Sequence, residues 1–138
     1  MKPETEKLLN EFLVHADDLG DEIVEDVREM LGVVPFIFTM LRDRPEVFAL
    51  SAIADYRISR PDSLDAKTAE LVAIAAAAGA GADNCLKVHI GAALKEGASR
   101  DEILDVLLIA AMIGKTRVLA SSLRQLREVC GESGTSTR

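Results

Sequence analysis

The sequence predicts an all-α fold in a single domain, on three observations. The chain has 138 residues, a length that suits one domain, and 49% of them are hydrophobic against 28% charged, as in globular proteins. Aromatic residues make up only 4% and Trp is absent, so the core must consist of aliphatic residues and alanine. No segment alternates with the period of two that indicates a strand. We therefore expect a domain of about six to seven helices.

The first part of the chain predicts four helical segments separated by glycine and proline. Apolar residues recur at helical spacing in the first two, and the third is a short apolar segment expected to form a turn and then a short helix. Gly20 is the expected stop of the first, acidic helix, and Pro45 stands at a favourable first helical position of the fourth. The spans are residues 3–20, 21–32, 33–45 and 45–60.

The remaining sequence predicts three further helices with recognisable starts. Ser63 or Asp65 is the expected cap of the first, and Asp83 that of the second. Ser99 and Glu102 have the spacing of a capping box at the start of the third. The spans are residues 63–82, 83–97 and 99–130.

The last predicted helix has an apolar stretch that a small chain cannot easily cover. Residues 103–113 are apolar nearly all round, so we expect burial on every side, with help from neighbouring subunits. No internal repeat or linker divides the chain. We expect one domain over residues 1–130 that forms oligomers, with an acidic N-terminal arm over residues 1–31 and a frayed tail over residues 131–138.

The charge distribution argues against several classes of partner. The net charge is −7, and residues 1–31 alone carry ten acidic and three basic residues. Because no basic stripe exists, we expect no binding to nucleic acid or to anionic membranes. The N-terminus lacks an apolar signal segment, the apolar runs are short for a membrane span, and two cysteines do not form a disulfide framework. We therefore expect a cytoplasmic protein.

A cysteine and a histidine lie one helical turn apart in the segment GADNCLKVHIG. Cys85 precedes His89 by four residues, so a helix would place both side chains on one face. If the helix starts near Asp83, its first turn would stabilise the Cys85 thiolate through the helix dipole and free N–H groups. Such a pair is the basic unit of an activated thiol. A free cysteine is more often a small core residue, however, and on this pair alone that interpretation is favoured.

Glu70 lies on an apolar stripe of a predicted helix. We expect burial to raise the pKa of this carboxyl group, which would make it a candidate proton carrier. The alternative is a solvated pair with Lys67 that contributes little, and the sequence leaves both interpretations open. The neighbours of Glu70 on this stripe are Ala66, Ala73, Ile74 and Ala77.

Glu70, Cys85 and His89, together with the alanine-rich run, resemble the carboxymuconolactone decarboxylase superfamily, in particular its AhpD-like alkylhydroperoxidase branch. The resemblance covers most of the chain, and its last segment is the most specific in its spacing to the histidine. Family members with thiol activity carry Glu, then Cys-x-x-Cys beginning twelve residues later, then His four residues beyond the second Cys. Ala82 stands at the position of the first Cys. The segments are LGVVPFIFTMLRDRPEVF, LDAKTAELVAIAAA and GAALKEGASRDEILDVLLIAA.

The resemblance implies an AhpD-like helical domain and a thiol-dependent hydroperoxidase or disulfide-exchange protein of the peroxiredoxin type. In the family scheme Cys85 attacks the peroxide, and His89 and Glu70 relay protons. Because Ala82 replaces the resolving cysteine, an external thiol would have to reduce the oxidised Cys85. Cys130, at the end of the last helix, is the other possible resolving thiol.

Two further functions stay open. The family also contains γ-carboxymuconolactone decarboxylases, and in such a lyase His89 and Glu70 would act as acid and base. An arginine would then hold the carboxylate of a small lactone. A non-catalytic oligomeric or redox-responsive binding protein is the third possibility. The candidate anchors for the lactone are Arg42, Arg44 and Arg57.

The expected partners are small molecules and copies of the same chain. They are a peroxide or lactone substrate, an external thiol reductant and a homo-oligomer, because the family commonly forms trimers or hexamers. We expect no organic cofactor, since no strand is followed by a Gly-rich phosphate loop. We also expect no metal, since Cys85 and His89 fall short of the three or four ligands that zinc takes.

Overall fold

The computed structural model describes residues 1–131, and these residues form seven α-helices and no strand. The all-α prediction is therefore confirmed, with the upper value of the expected number of helices. Apart from Gly131, the predicted tail lies outside the described residues. The helices are α1 (Pro3–Leu13), α2 (Ala16–Leu31), α3 (Phe36–Leu41), α4 (Pro45–Ser59), α5 (Ala66–Ala80), α6 (Asp83–Lys95) and α7 (Arg100–Val129).

A first hydrophobic cluster joins α2, α3 and α4. The ring of Phe48 in α4 is almost completely buried and meets the ring of Phe38 edge-on, with 5.5 Å between the ring centroids. Such a contact is a favoured aromatic geometry. The buried members of this cluster are Ile23, Val27, Phe48 and Ala52.

A second hydrophobic cluster joins α5, α6 and the start of α7. Ala92 and Ala93 of α6 and Ile74 of α5 have no exposed surface, so these helices pack in close contact through small side chains. Gly81 ends α5 with a left-handed φ of +67°, which allows the chain to turn directly into α6. The buried members of this cluster are Ile74, Ala93, Ala98 and Ile103.

The predicted helix starts are partly confirmed. Asp65, not Ser63, caps α5, because its Oδ1 accepts a 2.7 Å hydrogen bond from the backbone N–H of Thr68. The Ser99–Glu102 capping box is present at the start of α7. Asp83 is not a cap: it is the first residue of α6, where its charge still opposes the positive end of the helix dipole.

The expected helix stop at Gly20 is wrong. The first helix ends at Leu13, and Gly20 is a buried residue inside α2. A Cβ atom at position 20 would collide with the guanidinium of Arg42 and would lie 3.2 Å from the ring of Phe48. Glycine is used here for a close approach between elements rather than for a turn.

Helix α7 extends beyond the part of the chain that covers it. Ile103 is buried, but Leu108, Ile109 and Ile113 each expose more than half of their surface, and every residue from 111 to 131 is exposed. The expectation that residues 103–113 are buried on every side is therefore not met within one chain, because only α5 packs closely against α7. Within residues 1–131, no helix combines the length and the apolarity that crossing a membrane requires.

Candidate active site

Glu70 is the one charged side chain in the buried interior of residues 1–131. It lies on the inner face of α5, one turn before the fully buried Ile74, and is 1% exposed. A buried carboxylate needs hydrogen-bond donors to offset its lost hydration. A nitrogen atom of another side chain lies within hydrogen-bond distance of each carboxylate oxygen. The expected burial is therefore confirmed, and the surface pair with Lys67 is excluded. Lys67 instead binds Glu102, with 2.9 Å between Nζ and Oε1.

The first partner of Glu70 is His89 on the neighbouring helix α6. The His89 Nδ1 atom lies 2.7 Å from Oε2 of Glu70, and the imidazole is about one quarter exposed. The turn at Gly81 places the two residues opposite each other on adjacent helices. The structure therefore brings together Glu70 and His89, which are two of the three candidate residues; the third is Cys85.

The second partner of Glu70 is Arg60, which the sequence analysis missed. Arg60 caps the C-terminus of α4, and its Nη1 donates a 2.7 Å hydrogen bond to Oε1 of Glu70 and a 2.8 Å bond to the Ser59 carbonyl. A signal did exist, because a carboxylate on an apolar stripe requires a cation nearby. Arg60 stands ten residues before Glu70 in the sequence.

The pKa of Glu70 is lowered, which corrects the expectation that burial raises it. Burial does act to raise the pKa, and it is the largest single influence. The hydrogen bonds from His89 and Arg60, together with the electrostatic attraction of these two side chains, outweigh it. Glu70 is therefore an ionised acceptor held between two donors, and it is better suited to orienting His89 than to carrying a proton.

Cys85 lies in the first turn of α6, as predicted, and its side chain is exposed. Because Cys85 and His89 are four residues apart in one helix, their Cβ atoms are about 5–6 Å apart on one face. No hydrogen bond links the two side chains among the described residues. The exposure excludes the interpretation of Cys85 as a core residue within the single chain. Cys130 is also a free and exposed thiol, at the C-terminus of α7.

A pocket of about 310 Å³ opens beside His89, between α4 and α5. Its walls are mainly aliphatic, and Asp55 is the only carboxylate among them. Cys85 does not line it. The lining residues are Asp55, Ile58, Ser59, Pro61, Leu64, Ala69, Val72, Ala73, Ala76 and His89.

The three arginines considered as lactone anchors do not line this pocket. Arg42 points to α2, where its Nη2 lies 2.6 Å from Oδ1 of Asp21. Arg44 and Arg57 are exposed. Within residues 1–131, no group of three or more His, Cys, Asp or Glu side chains is arranged to hold a metal ion.

Replacing Glu70 with Ala should lower the free energy of unfolding by about 3 kcal/mol, because it leaves Arg60 and His89 without their shared acceptor. The melting temperature should fall by roughly 10 °C, measured by circular dichroism at neutral pH. The difference from the wild type should shrink in acid. A carboxyl group with a lowered pKa contributes stability above its ordinary value of 4.5 and loses it as the pH falls through the folded-state value.

Glu25→Ala is the matched control for this substitution. Glu25 is exposed and pairs with Arg28 on the surface of α2, so its loss should change stability by less than about 0.5 kcal/mol. Equal melting temperatures for the two variants would contradict a structural role for the buried carboxylate.

The model for the carboxymuconolactone decarboxylase family matches residues 45–128, which is more than half of the chain. The matched region contains Arg60, Glu70, Cys85 and His89. Neither the curated proteins nor the solved structures give a match. The chain belongs to the carboxymuconolactone decarboxylase family.

Proposed function

We propose that the protein is an AhpD-like, thiol-dependent hydroperoxidase in which Cys85 is the nucleophile. The observation that carries this proposal is the 2.7 Å hydrogen bond between Glu70 and His89, one helical turn from an exposed cysteine at a helix N-terminus. A carboxylate that orients a histidine, beside a thiol that the histidine can deprotonate, is the usual arrangement of an activated nucleophile. The helix dipole adds to the stabilisation of the thiolate.

The first half of the reaction oxidises Cys85. His89 accepts the thiol proton, and the thiolate sulfur attacks one oxygen of the hydroperoxide. The S–O bond forms as the O–O bond breaks, and the departing alkoxide takes the proton to leave as an alcohol. Sulfur is oxidised by two electrons to a sulfenic acid, and the peroxide is reduced by two.

The second half of the reaction restores the thiol. Ala82 occupies the position of the nearby resolving cysteine, so reduction requires another sulfur. A small external thiol condenses with the sulfenic acid, which releases water and forms a mixed disulfide. A second thiol then attacks that disulfide, frees the Cys85 thiolate and leaves as the oxidised disulfide of the reductant. The exposure of Cys85 supports this route, because the reductant can reach it.

A lyase that acts on a small carboxylated lactone is supported less well by the pocket. Such a substrate needs a cationic anchor, whereas neither lysine nor arginine lines the pocket and its one acidic residue is Asp55. Turnover of a lactone that survives in Cys85→Ser but not in His89→Ala would favour the lyase. A purely binding function would be favoured if the protein neither turned over such a lactone nor formed a sulfenic acid on Cys85.

The sulfenic acid is the intermediate that tests the proposal directly. The protein is treated with one equivalent of an alkyl hydroperoxide in the presence of a cyclic diketone that reacts selectively with sulfenic acids, and then analysed by peptide mass spectrometry. We expect one adduct on Cys85 and none on Cys130. An unmodified Cys85 after consumption of the peroxide would contradict the proposal. A Cys85–Cys130 disulfide would identify Cys130 as the resolving thiol.

We also propose that the chain assembles with copies of itself. The exposed half of α7 carries an apolar stripe together with four basic residues and one acidic residue between positions 115 and 129. The acidic arm over residues 1–31 carries a net charge of −7, and α1 has no buried residue within one chain. Opposite charges and two uncovered apolar surfaces suit contact between α7 of one copy and the arm of another.

A further inference from the structure

Arg60 lies between the end of α4 and the hydrogen-bonded pair of Glu70 and His89, and it does not line the pocket. It follows the last residue of α4 and precedes Pro61, which prevents the helix from continuing. Its side chain is about one fifth exposed, and its Nη1 donates to both Glu70 and the Ser59 carbonyl. The backbone at the end of α4 thus fixes the guanidinium that binds Glu70.

Both oxygens of Glu70 are engaged, and by different elements. Oε1 accepts from Arg60 of α4, and Oε2 faces Nδ1 of His89 of α6, each at 2.7 Å. With the side chain only 2% exposed, water does not compete for either oxygen. The position of the guanidinium therefore determines which way the carboxylate plane faces and which oxygen is presented to His89.

We propose that Arg60 is a positioning residue: it keeps Glu70 as an ionised, oriented acceptor, and thereby holds the neutral His89 in the Nδ1–H tautomer. Because a carboxylate can only accept, the hydrogen between Glu70 and His89 must belong to Nδ1. The lone pair is then on Nε2, on the ring edge away from Glu70. This inference takes its chemistry from the proposed function, in which His89 accepts the proton of Cys85.

A neutral side chain in place of Arg60 would reverse this arrangement. Burial opposes the charge on Glu70, and one of its two offsetting donors would lose its positive charge. Glu70 would then take up a proton from solvent at a higher pH than in the wild type. A protonated Glu70 donates to Nδ1, so that the ring hydrogen of the neutral His89 lies on Nε2 and no lone pair is left to accept the Cys85 proton. Three other titratable groups face Glu70, His89 or Arg60. Asp55 lines the same pocket as His89, Cys85 lies on the same helix as His89, and Oε1 of Glu96 lies 3.9 Å from Nη2 of Arg60.

The tautomer can be measured directly, because His15 and His89 are the only histidines in the chain. Nitrogen NMR shifts of the two rings are recorded from about pH 9, where imidazoles are neutral, down to about pH 7. We expect the Nδ1–H form for His89 in the wild type and in Arg60→Lys, which keeps the charge. Arg60→Gln keeps a donor without the charge: His89 should keep the Nδ1–H form at about pH 9 and shift towards the Nε2–H form by about pH 7, as Glu70 takes up a proton. Arg57→Gln, on the exposed part of α4, is the matched control and should leave His89 unchanged.

The kinetic consequence is measured by alkylation of Cys85 with a neutral haloacetamide at pH 7 in the same variants. The Cys85 rate should fall at least about tenfold in Arg60→Gln and recover in Arg60→Lys, while Cys130 reacts equally in all of them. A Nδ1–H tautomer that persists at about pH 7 in folded Arg60→Gln, or a Nε2–H tautomer in the wild type, would overturn the role of Arg60. If the tautomer shifts as expected but Cys85 never forms a sulfenic acid, the positioning role stands and the peroxidase function fails.

Discussion

We expect Cys85→Ser to reduce thiol-dependent peroxide consumption to the uncatalysed rate, and Cys130→Ser to keep most of it. The expected loss is this large because the serine oxygen cannot undergo the two-electron oxidation that sulfur undergoes, so no part of the cycle remains. The measurement is the initial rate of hydroperoxide loss with a small dithiol as reductant, with each variant at the same concentration. Both substituted positions are exposed, so neither change should disturb the fold.

The pair of variants also separates the possible routes of regeneration. If Cys130→Ser consumes one equivalent of peroxide and then stops, Cys130 resolves the sulfenic acid and the external thiol acts on a disulfide. Equal steady rates for Cys85→Ser and the wild type would exclude the hydroperoxidase mechanism. Circular dichroism of both variants confirms that the comparison is between folded proteins.

Introducing two carboxylates into the apolar stripe of α7 should convert the oligomer into single chains. Leu119 and Leu123 are about half exposed and lie one turn apart on one face of α7. If they are buried between copies, Leu119→Asp combined with Leu123→Asp places two unpaired charges in the contact, at a cost of several kcal/mol. Multi-angle light scattering should show a multiple of the chain mass for the wild type and one chain mass for the variant.

Ser121→Asp combined with Gln125→Asp is the control for the α7 variant. These two residues lie on the opposite side of the same turns, so the control adds the same charge to the same part of the helix. We expect the control to keep the mass of the wild type. A wild type that is monomeric, or a leucine variant that keeps its oligomeric mass, would contradict the proposed assembly.

The helices could be predicted because their signals are local. Asp65 and the Ser99–Glu102 pair are capping residues whose partners lie three positions away, and the structure contains both caps. The end of the first helix was missed for the opposite reason. Considered with its sequence neighbours alone, Gly20 suits a turn that ends a helix. In the structure a glycine is needed there because the side chain of Arg42, more than twenty residues away, leaves no room for a Cβ atom.

The parts of the candidate site on α5 and α6 could be predicted from the sequence, whereas the contribution from α4 could not. The apolar stripe around Glu70 correctly indicated burial, and the spacing of Cys85 and His89 correctly indicated a shared helix. The predicted direction of the Glu70 pKa shift was wrong, because the apolar stripe indicates that the carboxyl group loses its hydration but does not reveal the cation that pairs with it. Arg60 reaches Glu70 from α4 through a long side chain, and no spacing rule marks such a contact.

The ion pair between Arg60 and Glu70 also couples two parts of the molecule that otherwise have separate cores. Arg60 ends a helix that packs with α2 and α3, whereas Glu70 belongs to the cluster of α5, α6 and α7. Local unfolding of α4 would withdraw the guanidinium and leave His89 without a fixed orientation, although α5 and α6 remain folded. The reactivity of the Cys85 thiol would then depend on the packing of helices that contribute no reacting atom. Mild denaturant would lower this reactivity before the cluster of α5, α6 and α7 unfolds.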